Sequence, residues 1–528
     1  MLNWDFPYAS RRAPVFARNV VATSQPLAAE AGLDAMRRGG NAVDAALAAA
    51  ITLTVVEPTM NGLGSDAFAI VWDGDSLHGV NGSGRSPRAW TAERFDGQTE
   101  MPVLGWDAVT VPGAVDAWVT LSKRLGALPF DALFDAAIHY AREGFQVGHI
   151  TARSWRDAIG IYRGFDGFMA HFASGGRGPQ PGELVRRPEI ARSLEQIAES
   201  GGEAFYRGAL AEAIVANAAS MGGAMSLEDL AGHKTEWVAP GARSYRNVTL
   251  HEIPPNGQGL AAQIALAILA HWDLRALPPN GVESVHLQVE AMKIAICAAF
   301  DHFSDPVSMT VSPDALLEPV SIERVAGTIG QHDASKLPPG RLPTSQDTVY
   351  LTAADADGRM VSFIQSNYRG FGSGIVVPGT GIAMQNRGNG FTLEQGHPNQ
   401  VAGGKRPYHT IIPGFVTEGG APRMSFGVMG GHMQHQGHVQ MVHRIFDLGE
   451  NPQAASDAPR WQVLPDYTLA LEDGFSDRVA AELAQRGHNV ARIEPDAHLF
   501  GGAQLIYRLG EGYCAASDHR KEGLATGY

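Results

Sequence analysis

Apolar residues recur along this chain with two periods, and the switches between them mark its elements. In PLAAEAGLDAMRR, from Pro26, they fall three and four apart. That spacing predicts a helix stopping at Gly39-Gly40. NAVDAALAAAITLTVVEP reads as a second helix, with Asn41 as N-cap and Pro58 as the stop. Alanine at so many of its positions points to close helix packing. DAFAIVWDGDSLHGVNGSG then alternates apolar and polar residues between glycine turns, which predicts two or three strands. Residues 106–300 read as mainly helical, most clearly in VPGAVDAWVTLSKRLG, where Pro112 falls near a first turn. The pattern fades over 301–347. Strands return from Thr348 to about Ala383 and again over 411–428, and the end mixes a helix, Asp477–Arg486, with short strands. No internal repeat recurs at a fixed period.

Length and composition narrow the class. A chain of 528 residues sets a prior of about three to four domains, or one large α/β unit. Apolar residues at 44% supply a large core, and a formal charge of −14 disfavours nucleic acid or an anionic membrane as a partner. No basic tract with interleaved aromatics is present. No run reaches the ~18 apolar residues of a membrane helix. The N-terminal stretch lacks the apolar segment of a signal peptide, so the expected location is the cytoplasm. Two cysteines, Cys297 and Cys514, cannot build a disulfide framework or a cysteine zinc site, and both read as core thiols.

The segment SQDTVYLTAADADGRMVSFIQSN, Ser345 to Asn367, poses the chemical question. A Pro-rich stretch, 333–347, reads as an exposed linker that tolerates a cut. It gives way at Thr348 to a hairpin: TVYLTAA alternates, DADG turns, RMVSFIQS alternates again. A loop at Ala356-Asp357 sets Thr348 opposite Gln365, and one at Asp357-Gly358 sets it opposite Asn367. Either register brings Ser366 within one position of Thr348 across the ladder. An ordinary strand pair of hydroxyls accounts for this. So does an N-terminal nucleophile: Thr348 Oγ attacks the Asp347 carbonyl, an N→O acyl shift makes an ester, and water cuts it. The freed α-amine titrates near pH ~8 and is the base that a mid-chain threonine lacks.

Five segments, in order, resemble the γ-glutamyltranspeptidase family: GGNAVDAALAAAITLTVVEP, TVPGAVDAWVTL, TVYLTAADADGRMVSFIQSNYRGFGSGIVVPGTGI, GKRPYHTIIP and GVMGGHMQHQGHVQMV. The match runs over roughly residues 20–510. The resemblance implies an αββα four-layer sandwich of the N-terminal nucleophile hydrolase type. It also implies a precursor cut into a large subunit, 1–347, and a small one, 348–528, intertwined in one unit. A homodimer of that pair stays open. No cofactor or metal is implied, and the partner is a small-molecule amide. Thr348 matches the nucleophile and Ser366 its hydroxyl neighbour. Gly430 and Gly431 match the glycine pair whose N–H groups form the oxyanion hole. Arg85 matches the arginine that clamps the substrate carboxylate, with Arg88 as the alternative.

The departures carry most of the information. The family's Thr-Thr-His at the cut is Thr348-Val349-Tyr350. Its Ser-Ser is His409-Thr410. The acid that pairs with a substrate α-amine falls at Asn389, the amide before it at Arg387, and a nearby asparagine at Tyr368. An α-ammonium needs a carboxylate acceptor. A pocket that has lost its carboxylate and gained an arginine suits an anionic amide without an α-amine. The chain therefore resembles the branch that includes oxamate amidohydrolase, with γ-glutamyl hydrolysis or transfer as the alternative. His432, His435 and His438 recur every three residues and invite a metal reading, but the drift of that spacing around a helix and the absence of an acid among them weigh against it. An unprocessed, non-enzymatic homologue is the remaining alternative. No G-x-S-x-G elbow occurs, and Gly82-Ser83-Gly84 and Gly372-Ser373-Gly374 read as tight turns.

Overall fold

The computed structural model describes residues 12–335, 348–493 and 497–528. Asp347 and the larger part of the expected linker, from residue 336 on, lie outside the described residues; 333–335 are exposed or half-buried. Two helices follow the first two strands, α1 (Pro26–Arg37) and α2 (Ala42–Val56), each close to its expected span. Asn41 accepts from the Asp44 N–H while the Asp44 carboxylate accepts from the Asn41 N–H, a capping box that fixes the start of α2. Every residue of α2 is buried, as its all-round apolar composition requires.

Fourteen strands build the centre. In chain order they are β1 (Val15–Ala17), β2 (Val20–Thr23), β3 (Asp66–Trp72), β4 (Leu77–Gly82), β5 (Glu236–Val238), β6 (Gly241–Tyr245), β7 (Val248–Glu252), β8 (Val349–Ala354), β9 (Met360–Ser366), β10 (Gly414–Glu418), β11 (Ala421–Met429), β12 (Gly502–Arg508), β13 (Tyr513–Ser517) and β14 (Leu524–Gly527). They form two seven-stranded antiparallel sheets, ordered β14-β2-β8-β9-β3-β4-β5 and β1-β13-β12-β11-β10-β7-β6. Both sheets combine strands from before and after position 348, so the two segments are interleaved.

Strand alternation sorts side chains into three apolar layers. Val349, Leu351, Val361 and Phe363 pack on α1 and α2. Tyr350, Ile364, Phe68 and Ile70 face the second sheet, meeting Phe415, Met429 and Ile506. On that sheet's far face, Met424, Phe426 and Val428 pack on α3 (Gly259–Leu269) and α4 (Val282–His302). Helix, sheet, sheet, helix is the αββα sandwich. Among the described residues no helix is long and apolar enough to cross a membrane.

Two expectations shift. The stretch 106–300 is not helical throughout: β5, β6 and β7 lie within it and close the edges of both sheets. β5 and β6 are edge strands of three and five mostly half-exposed or exposed residues, and β7, one place in, alternates buried and half-buried residues; all three are too short to stand out among long helices. The hairpin register falls between the two expected ones. Val349 pairs with Gln365, which sets Thr348 opposite Ser366. The loop is the three residues Ala356, Asp357 and Gly358, and Gly358 takes φ +91 to close it. Both cysteines are free; Cys514 is buried, and Cys297 is only half-buried, 3.0 Å from the Tyr467 hydroxyl.

The inter-sheet contact is tight at Gly427 of β11, where an added Cβ would lie 2.4 Å from the Tyr350 ring. Gly427→Ala is therefore expected to destabilise by about 1–3 kcal/mol. A thermal melt checks it; an unchanged midpoint would mean that the layers are looser than this packing.

Candidate active site

The site forms at one end of the layer between the sheets. Thr348 stands immediately before β8, buried to 1% exposure. Its hydroxyl donates to Ser366 Oγ at 3.2 Å, and Ser366 Oγ also accepts from the Tyr368 N–H at 2.8 Å. The chain turns sharply there, with Tyr368 at φ +82. Gln434 Nε2, at the start of a helix that follows the second sheet's β11, reaches Thr348 Oγ at 3.5 Å, while its Oε1 accepts from the Ile412 N–H.

Gly430 and Gly431 end β11 at φ +131 and +57, a turn that side chains rarely tolerate. A Cβ on Gly430 would also lie 2.9 Å from Gly501 Cα. One glutamine holds this turn. Gln258 Nε2 donates to Gly431 O at 2.9 Å and to Thr410 O at 2.5 Å, and its Oε1 accepts from the Tyr408 hydroxyl at 2.9 Å.

Arg387 is fully buried. It lies on a short 3-10 turn, Arg387–Gly390. Its Nη1 donates to Thr410 Oγ1 at 2.8 Å, and its guanidinium sits 4.4 Å over the Tyr368 ring. Nε and Nη2 have no hydrogen-bond partner, and neither has the Tyr368 hydroxyl. Burial lowers the Arg387 pKa to about 10, with Asp66 opposing the shift. Asn389 spends its Nδ2 on Met101 O at 2.6 Å and leaves Oδ1 unpartnered.

His409 does not present a cation. It is fully buried, its Nε2 is 3.1 Å from Asp66 Oδ2, and burial with Arg387 and Arg406 nearby holds it well below its usual range. Asp66 pairs with Ser366 across β3 and β9, so Thr348, Ser366 and Asp66 form one row. Burial pushes the Asp66 pKa up to about 7, against the opposing pull of Arg387 and two backbone N–H groups.

Arg85 is already ion-paired. Its guanidinium is 2.7 Å from Asp305 and 3.7 Å from Glu236. It lines a cleft of about 240 Å³ with Arg88, His233, Lys234, Glu236 and Arg406. The three histidines separate. His432 lies on a 3-10 turn and stacks on Tyr408, ahead of a helix α5 (Gln434–Val442) that carries the other two. His438 Nδ1 meets Glu252 at 2.6 Å, an acidic partner supplied from β7. Among the described residues the group close enough to share an ion is instead His286, Glu290 and His488, where Lys293 already bonds Glu290 at 2.8 Å.

A buried threonine beside a serine, at the end of an αββα sandwich and facing a glycine turn, defines the class: this is an N-terminal nucleophile hydrolase. Residues 28–528 match the model of the γ-glutamyltranspeptidase family, and the chain belongs to that family. It is 34% identical to the glutathione hydrolase-like YwrD proenzyme of Bacillus subtilis, covering 98% of this chain and 99% of that one. It is 35% identical to the oxamate amidohydrolase proenzyme of Klebsiella pneumoniae, covering 95% and 97%. The crystal structure of cephalosporin acylase from Bacillus halodurans superposes with a TM-score of 0.95 at 46% identity, covering 100% of this chain and 99% of that one. The chain is an enzyme of the amidohydrolase and γ-glutamyltransferase kind, related to proenzymes.

Asp66, Gln258 and Gln434 escaped the sequence reading. GLGSDAF offered a signal for Asp66, since an acid at the head of a buried strand needs a partner. The two glutamines had none, because only folding brings them to the turn. Gln258→Leu would strand Thr410 O, Gly431 O and the Tyr408 hydroxyl, so a loss of about 1–3 kcal/mol is expected. Thermal melting reads it, and an unaltered midpoint would remove Gln258 as the brace of the glycine turn.

Proposed function

We propose that this enzyme hydrolyses small amides whose acyl group carries a carboxylate and no α-ammonium, oxamate-like in chemistry, after cleavage between Asp347 and Thr348. The freed Thr348 is the nucleophile. Its Oγ attacks the amide carbonyl as its own α-amine takes the hydroxyl proton. The N–H groups of the Gly430–Gly431 turn hold the oxyanion, and Ser366 fixes the Thr348 rotamer. The amine leaves with the proton, and water hydrolyses the ester to the acid and restores threonine.

One observation carries the substrate assignment: the fully buried Arg387 has an open Nε–Nη2 edge. Two parallel N–H donors on a planar cation match a carboxylate. Thr410 and the Tyr368 ring hold the guanidinium, Tyr368 Oη and Asn389 Oδ1 add polar atoms, and neutral His409 adds no charge. Arg85, already paired with Asp305, is assigned to the outer cleft. No carboxylate stands at Asn389 to receive an α-ammonium. The second reading, γ-glutamyl hydrolysis, draws on the 34% identity to a glutathione hydrolase-like proenzyme.

Thr348→Ala is expected to abolish both cleavage and turnover, read by denaturing intact mass and an ammonia-release assay; a cut, active alanine variant would exclude this nucleophile. Arg387→Ala is expected to raise KM for a carboxylated amide by about 1.5–3 kcal/mol, roughly 10–150-fold. Turnover of γ-glutamyl-p-nitroanilide well above that of oxamate, succinamate and glutaramate would sink the substrate assignment.

A further inference from the structure

Arg387 and Asp66 are a buried cation and a buried anion that do not touch. Among the described residues no carboxylate contacts the Arg387 guanidinium; its one hydrogen-bond partner is the neutral Thr410 hydroxyl. Asp66 is occupied by other groups. Its Oδ1 accepts from the N–H groups of Gly84 and Gly113, at 3.3 and 3.0 Å, and its Oδ2 faces His409 Nε2 at 3.1 Å. The Ile411 N–H donates to His409 Nδ1, so the ring proton sits on Nε2 and points at Asp66.

Each charged group facing Asp66 can be assigned. His409 is neutral. Arg406 has a carboxylate of its own, Glu236, at 2.9 Å. Tyr206 stays a phenol, its hydroxyl donated to Pro112 O. His409 and Thr410 are adjacent in the chain and contact Asp66 and Arg387 respectively, so Asp66 stands near Arg387 without touching it and is left as its balancing charge.

A substrate carboxylate on the open edge of Arg387 changes that balance. Two anions would then share one buried cation, and a like charge brought into a dry site raises the pKa of its neighbour. Arg387 does not give up its charge near neutral pH. His409 is held neutral by burial and by two arginines. That leaves Asp66 and the freed Thr348 α-amine, which titrates near pH ~8, as the groups able to adjust, and Asp66→Asn tells them apart.

We propose that Asp66 is the resident counter-ion of Arg387 and takes up one proton from solvent when a substrate carboxylate occupies Arg387. This rests on the assignment of Arg387 as the substrate anchor. Asp66 then sets both specificity and pH dependence. An anionic acyl group is accepted because Asp66 yields its charge. A zwitterionic γ-glutamyl group would bring an ammonium that leaves Asp66 ionised.

The free Asp66 carboxyl titrates at about 7. Binding raises that value, so proton uptake occurs above pH about 7 and below the bound value. Under acid conditions Asp66 is already protonated and uptake vanishes. Above the window, affinity falls by up to about tenfold per pH unit.

The test uses the mature enzyme and pyruvate, which has the shape and charge of oxamate but no amide to hydrolyse. Calorimetric titration in two buffers of different protonation enthalpy counts protons. Uptake approaching one at pH 8, absent at pH 5.5 and absent in Asp66→Asn, is the expected result. Pyruvate binding without uptake at pH 8, or uptake that persists in Asp66→Asn, overturns the inference and leaves the Arg387 assignment standing. Failure of pyruvate to bind at all overturns both. Should Asp66→Asn not fold, infrared difference spectra of wild-type enzyme labelled with 13C-aspartate decide: a new protonated-carboxyl band on binding supports the proposal, and its absence refutes it.

Discussion

The register of the β8–β9 hairpin against β3 is the constraint on which the site depends. It sets Thr348, Ser366 and Asp66 in one row, facing the second sheet at the end of the apolar layer. A slip of the hairpin by one residue would send Thr348 and Ser366 to the opposite face, into the packing of α1 and α2 and away from Asp66. The register is secured by what surrounds it. Both faces of both strands are buried, so a slip would exchange Leu351 and Phe363 for Thr352 and Ser362 in an apolar layer. A three-residue loop closed by Gly358 admits one alignment.

The starts of α3 and α5, behind the second sheet, supply the opposing half of the site through hydrogen bonds. Gln434 reaches across to Thr348, and Gln258 braces the glycine turn. Both are buried amides with each end spent, the condition under which such groups add rigidity to a core. Because the contributing strands come from before and after position 348, the cut would free a terminus without separating the layers.

Much of the architecture was legible in the sequence because its signals are local. The Asn41 cap, the all-round apolar α2 and the hairpin are each written within twenty or so residues. The short strands β5–β7 were hidden because three to five residues alternate too briefly to be heard beside long helices. The site was legible only in part. Thr348 and Ser366 are joined by a hairpin, so sequence spacing brings them together. Asp66 and His409 lie 343 positions apart, and their contact depends on a loop reaching the head of β3. Arg85 looked like an anchor from its motif, yet Asp305, supplied by a distant loop, already occupies its guanidinium. An arginine's role is set by what stands opposite it, and that is the part of a site least visible in one dimension.

The same consideration separates the two arginines energetically. Arg85 is partly exposed and paired, so water and Asp305 already satisfy it, and a substrate carboxylate would gain little there. Arg387 is buried with one edge unmet, a state that costs stability in the empty protein. On the proposed function that cost is recovered when a substrate carboxylate arrives, which would turn a structural defect into binding energy for an anion. Asp66 keeps the defect tolerable without filling it: close enough to lower the field at Arg387, held back by Gly84, Gly113 and His409 from closing the pair. A direct Asp66–Arg387 salt bridge would make a more stable protein and a site with nothing left to offer a substrate.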